Sequence, residues 1–145
     1  MVDPAKAREN AITALRNWAK GLPDGVARLE ESEAPYEYVV RVIPRNPGSA
    51  GVTFRISEYG TFGLYVGAAI RIEDLPLTSE YVLEICEAVR RGEFVEETWS
   101  RGGALLKAIG VLRLPSGDLA GTDYRGAFGS LGADEHVRKV YEPYS

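Results

Sequence analysis

Between Tyr36 and Ile72 apolar and polar residues alternate in short runs, each broken by a few turn-forming residues. Tyr36, Tyr38, Val40 and Val42 share one side of the chain opposite Glu37 and Arg41. Val52, Phe54 and Ile56 alternate with Thr53, Arg55 and Ser57. A period of two is the pattern of strands with one buried face. The separators, Pro44 to Gly51 and the turn at Gly60, leave no room for a crossover, so successive runs pair antiparallel. Phe62, Leu64 and Val66 begin another run, which Gly67 interrupts with a bulge or bend before Ile70 and Ile72. Val26–Glu31 is a further strand candidate.

Two stretches change period. Ala7, Ala11, Leu15 and Trp18 make one helical stripe, with Asp3 as N-cap, Pro4 in the first turn and Gly21 as the stop. Val82, Ile85, Cys86 and Val89 form a second stripe, started by Thr78 or Ser79 and closed by Gly92. Strands are expected again at Phe94–Trp99, Leu105–Leu114 and Leu119–Tyr124. The glycine-rich segment 121–134 has no period and reads as a surface loop. Val137–Tyr144 fits a short closing helix or an edge strand equally well. The expectation is one α+β domain over residues 1–145. Its antiparallel sheet has six or seven strands, with an N-terminal and a mid-chain helix on one face.

Chemistry-bearing motifs are sparse. Cys86 and His136 are the single cysteine and histidine. The helical stripe points Cys86 into the core, where a thiol acts as a small apolar group, and His136 falls in a polar, solvated stretch. One buried cysteine and one histidine do not make a metal site. The run Gly126–Gly132 lacks the Lys-Ser/Thr ending of a phosphate loop and the Gly-x-Gly start of a dinucleotide fingerprint. No catalytic residue, cofactor or metal is therefore expected. A polar N-terminus and the absence of about 18 consecutive apolar residues point to a cytoplasmic chain without a membrane span.

Charge is the feature left to interpret. The net charge is −4, and residues 73–97 alone carry −6, with eight carboxylates facing Arg90 and Arg91. A nucleic-acid ligand is not expected, because phosphate affinity requires a basic surface. Glu80, Glu84 and Glu87 fall at i, i+4 and i+7 of the second helix, and Glu96 would extend that face. These carboxylates, together with Tyr124 and Phe128 near the irregular segment, are the candidate partner-binding residues. An acidic face suits a basic protein partner. In this general character, small, acidic-patched and free of catalytic motifs, the chain is similar to bacterial immunity proteins. That likeness implies a non-enzymatic protein-binding module that inhibits a basic toxin. Two alternatives stand beside it. One is a small-ligand pocket or small enzyme on the curved sheet, lined by Tyr38, Glu58, Tyr65, Asp123 and Tyr124. The other is a structural subunit that forms a homodimer through an apolar strand edge.

Overall fold

The computed structural model describes residues 3–125 and 130–145. Helix α1 (Pro4–Lys20) is followed by strands β1 (Ala27–Ala34), β2 (Glu37–Pro44), β3 (Val52–Ser57), β4 (Thr61–Val66) and β5 (Ile70–Pro76). Helix α2 (Ser79–Arg90) leads into β6 (Phe94–Arg101), β7 (Ala104–Leu112), β8 (Leu119–Tyr124) and β9 (Glu135–Val140). The chain is thus α+β, with two helices and nine strands among the described residues.

The strands form two antiparallel sheets, of order β1-β2-β3-β4-β5 and β8-β7-β6-β9, rather than one sheet of six or seven. The extra strands are β5, which the turn at Gly67 sets apart from β4 where one interrupted run was expected, and β9, in which every residue is exposed. Of the two options for the C-terminal segment, the edge strand is the one formed, and it starts at Glu135.

Helix ends follow the capping residues. The Asp3 side chain accepts from the Ala5 N–H, Thr78 Oγ1 accepts from the Tyr81 N–H at 3.1 Å, and Pro4 opens α1. The β1–β2 turn places Tyr36 at φ 66°, after Pro35, as a type II turn requires of its third residue. Gly67 (φ 58°) closes β4 and opens the β4–β5 turn, while the register irregularity expected there falls instead between Phe62 and Leu64.

Both helices cover one face of the first sheet. Ala11 and Leu15 of α1 and Val82, Ile85, Cys86 and Val89 of α2 meet Val40, Val42, Val52, Phe54, Ile56, Phe62, Leu64 and Val66. Cys86 is fully buried, and burial pushes its thiol pKa far up, so it packs as an apolar group. The second sheet joins this core through one end of its inner face, at Phe94 and Leu112, with Leu119 of β8 packed beside them.

Three features fix that junction. Gly110 and Gly121 are paired across β7 and β8, and their bare backbones lie against Ala69 and Ile70. The Glu96 side chain, 5% exposed, accepts the Ala68 and Ala69 N–H groups at 2.7 and 3.1 Å. It also accepts the Tyr141 hydroxyl at 3.1 Å. The segment after β9 then runs back over the first sheet. Ser49 Oγ donates to the Pro143 carbonyl at 2.9 Å, and the Tyr144 hydroxyl donates to the Ala50 carbonyl at 2.8 Å. Burial raises the pKa of both Tyr141 and Tyr144, so each phenol stays protonated and able to donate.

Candidate functional site

The carboxylates singled out by the sequence have separate fates. Glu80 is exposed. Glu84 is half-buried and accepts the Ser116 N–H at 2.7 Å, closing the β7–β8 connection onto α2. Glu87 accepts the Trp18 indole N–H at 3.0 Å and pairs with Arg90 and, at 3.8 Å, with Arg91. Burial raises its pKa, but bonds from Arg90 and Trp18 outweigh that and hold the carboxyl below its usual range. Glu96 lies inside the inter-sheet junction. Of these four acids only Glu80 stands clear of the body of the protein, because Glu84, Glu87 and Glu96 each accept a hydrogen bond from a distant part of the chain. Tyr124 is 61% exposed on β8, and Phe128 lies outside the described residues.

This division sets a stability contrast. Glu80→Lys is expected to leave the melting temperature within a degree or so. Glu87→Lys removes the acceptor of Trp18 and sets a third cation beside Arg90 and Arg91, and it is expected to cost about 1 kcal/mol. Urea titrations of the two variants check this, and equal stabilities would show the Glu87 bonds to be idle. The pH sense follows from the lowered pKa of Glu87. Its contribution is whole above the unfolded carboxyl range and fades as pH falls through the lower folded value.

The residues proposed to line a pocket do not gather in one place. Tyr38 and Glu58 share a groove of about 500 Å³ beneath α1, together with Ala5, Arg8, Ile12 and Arg16. Its wall is a fixed network. Arg16 Nε donates to both Glu31 oxygens at 3.0 and 3.2 Å, and the Tyr38 hydroxyl donates to Glu31 at 2.9 Å. The Arg16 bond lowers the pKa of the Glu31 carboxyl below its ordinary range. Tyr65 lies on the far side of the first sheet in a separate chain of bonds, accepting from Arg55 and donating to Glu73, while Arg55 is also bound to Glu37. Asp123 pairs with Arg125 at 2.9 Å on the second sheet. Among the described residues no three of His, Cys, Asp and Glu converge as metal ligands. No helix in the described chain is long and apolar enough to cross a membrane.

A third surface emerges from cross-strand register. The outer side of the second sheet carries three rows. Val140, Val95, Val111 and Ala120 make the first, and Arg138, Glu97, Ile109 and Thr122 the second. The third is His136, Trp99, Lys107 and Tyr124. In that last row the His136 and Trp99 rings stack at 4.4 Å with planes 6° apart. The Lys107 ammonium sits over Trp99 at 5.0 Å and over Tyr124 at 5.2 Å. These contacts hold the row upright and present a ridge of ring edges with one cation between them.

None of Val95, Trp99, Ile109, Val111 or Val140 packs against the hydrophobic core, and no described element lies over them. The face carries Lys107 and Arg138 against Glu97, an excess of positive charge on a chain whose net charge is −4. Of this surface the sequence marks Tyr124 alone as a partner-binding candidate, and it reads His136 as a solvated side chain rather than as a ring stacked on Trp99. The alternation of Val95, Glu97 and Trp99 shows that they share a side, but register alone brings His136 and Lys107 beside Trp99. Comparison with known families, with curated proteins and with solved structures finds nothing that matches this chain.

Proposed function

We propose that the chain is a protein-binding module without an enzymatic reaction, and that its binding surface is the outer face of the β8-β7-β6-β9 sheet. The observation that carries this reading is the row of apolar side chains left uncovered there among the described residues. Soluble chains rarely leave a contiguous apolar patch open, and an aromatic ridge with an apolar neighbour row is how interface cores are built. Basic partners suit the α2 face less well than composition alone implies, since Glu84 and Glu87 already bind within the chain. Lys107 and Arg138 instead favour a partner that brings carboxylates to the rim of an apolar patch. Toxin inhibition of the immunity-protein kind remains a narrower form of this proposal, with the sheet rather than α2 as the inhibitory surface.

The test is comparative affinity purification from the native host, using wild-type chain and two folded variants. Trp99→Ala with Ile109→Ser is expected to lose the specific partner by at least tenfold in recovery, since interface aromatics of this kind carry about 2 kcal/mol or more. Glu80→Lys is expected to retain it. Retention by the Trp99/Ile109 variant, with loss by the Glu80 variant, would move the binding site back to α2.

A further inference from the structure

We propose that β9 is a self-complementary edge, and that two copies of this chain join through antiparallel β9–β9 pairing about a two-fold axis centred on Val137. The inference rests on the charge pattern and exposure of one strand and stands apart from the proposed function. The two fail independently.

The four sheet edges are not equivalent. On β8, Gly121 lies against Ala69 and Ile70, so that strand is packed on the β4–β5 turn and on β5. On β1, Glu30, Glu31 and Glu33 dominate, and a copy of that edge would set acid against acid. On β5, Pro76 removes an N–H and β8 lies alongside. Only β9 remains, six residues long with every one exposed and no described element beyond it.

Ladder geometry decides what that edge offers. The Tyr141 N–H donates to the Phe94 carbonyl at 3.1 Å, opposite it in the β6 register. Antiparallel pairs alternate, so the main-chain groups of the odd residues turn toward β6. Those of His136, Arg138 and Val140 face outward, unpaired. A two-fold axis perpendicular to the sheet pairs residues on the same face, so the sum of paired residue numbers must be even. Centring the axis on Val137 sets His136 against the partner's Arg138 as mutually hydrogen-bonded residues, using the outward-facing groups. It also sets Val137 on the partner's Val137 in the closely spaced position between them.

Side chains favour this register over its neighbours. Glu135 meets the partner's Lys139, and Lys139 meets the partner's Glu135, giving two opposite-charge pairs around an apolar centre. Moving the centre one residue onward would stack Arg138 on its own copy. Moving it one residue back would leave only Glu135–Val137 of β9 within the paired region. Lysine on an edge ordinarily deters pairing, but a glutamate four residues before it makes the deterrent selective for this one arrangement. In the monomer the Lys139 ammonium rests over the Tyr141 ring at 4.3 Å, and Glu135 stands in solvent, so both are within reach of a partner. The product is a continuous eight-stranded sheet whose two outer faces lie side by side.

Sedimentation velocity across a concentration series tests the proposal by charge exchange. Wild type is expected to show a monomer–dimer equilibrium, and Glu135→Lys and Lys139→Glu are each expected to weaken it at least tenfold. Each variant alone opposes like charges, whereas an equal mixture of the two restores both pairs and is expected to dimerise as heterodimers. Arg138→Pro removes an outward N–H without touching the β6 ladder, and it is expected to abolish dimerisation with unchanged circular dichroism. Should Lys139→Glu fail to fold, Arg138→Pro and Glu135→Lys decide the question alone. A wild-type chain that is monomeric at millimolar concentration overturns the proposal. So does a dimer indifferent to Arg138→Pro, or a mixture of folded single-charge variants that remains monomeric.

Discussion

Replacing Glu96 by alanine is expected to lower stability by about 3 kcal/mol or more, the largest effect of any charged residue in the chain. The truncation strips the acceptor from two backbone N–H groups, Ala68 and Ala69, and from the Tyr141 hydroxyl. An unpartnered buried donor costs about 1–3 kcal/mol, and hydrogen bonds to an ionised acceptor lie at the upper end. Glu96→Gln keeps one carbonyl oxygen aimed at the turn and is expected to recover roughly half of the loss. Equilibrium urea unfolding of the three proteins gives the comparison. A Glu96→Ala variant within 1 kcal/mol of wild type would mean that water replaces the carboxylate at the turn, and the account of the inter-sheet junction would fail.

Glu96 also marks where the sequence was legible and where it was not. As one of the acids in the −6 window it reads as part of a charged surface. Yet it stands two residues from Phe94, which is fully buried, and strand alternation puts both on one face. That signal was present in the sequence and pointed inward. What the sequence lacked was the acceptor's purpose, because the amides it binds belong to a turn 27 and 28 residues earlier. Glu84 and Glu87 misled in the same way. Their helical spacing is real, but the Ser116 and Trp18 donors that draw them inward arrive from distant elements.

Features governed by local rules were readable. Both helix N-caps, the inward stripe of Cys86 and its neighbours, and the alternation of Val52, Phe54 and Ile56 depend on residues a few positions apart. The division into two sheets was not readable, because nothing in β5 or β6 states which strands they will lie beside. Nor was the Trp99 ridge. Its four members span residues 99 to 136 and meet only through the registers of β6 with β7 and β9 and of β7 with β8. Wherever candidate-site chemistry rests on register rather than on spacing, composition arguments attach to the wrong face.

Gly121→Val is expected to cost about 3 kcal/mol and, for a chain of this size, to lower the melting temperature by roughly 10 °C. A Cβ at this position would stand 2.5 Å from the Ala69 carbonyl oxygen and 2.9 Å from the Ile70 Cα. Both are backbone atoms, so no rotamer change relieves the overlap, and the second sheet must lift from the β4–β5 turn. Gly110, its partner across the ladder, makes a useful contrast. A Cβ there meets the Phe94 ring at 2.9 Å, which can tilt away, and the Ala69 methyl at 3.0 Å, a milder overlap than backbone at 2.5 Å. Gly110→Ala is therefore expected to cost about 1 kcal/mol. Lifting the sheet also lengthens the Glu96 bonds to Ala68 and Ala69, so in Gly121→Val amide exchange should accelerate in β6–β9 before it does in β2–β4. Uniform acceleration across both sheets would instead mean that they unfold as one unit and that the glycine pair is no separate hinge of stability. A Gly121→Val chain with wild-type melting would show that the close approach of backbone to backbone does not hold the sheets together.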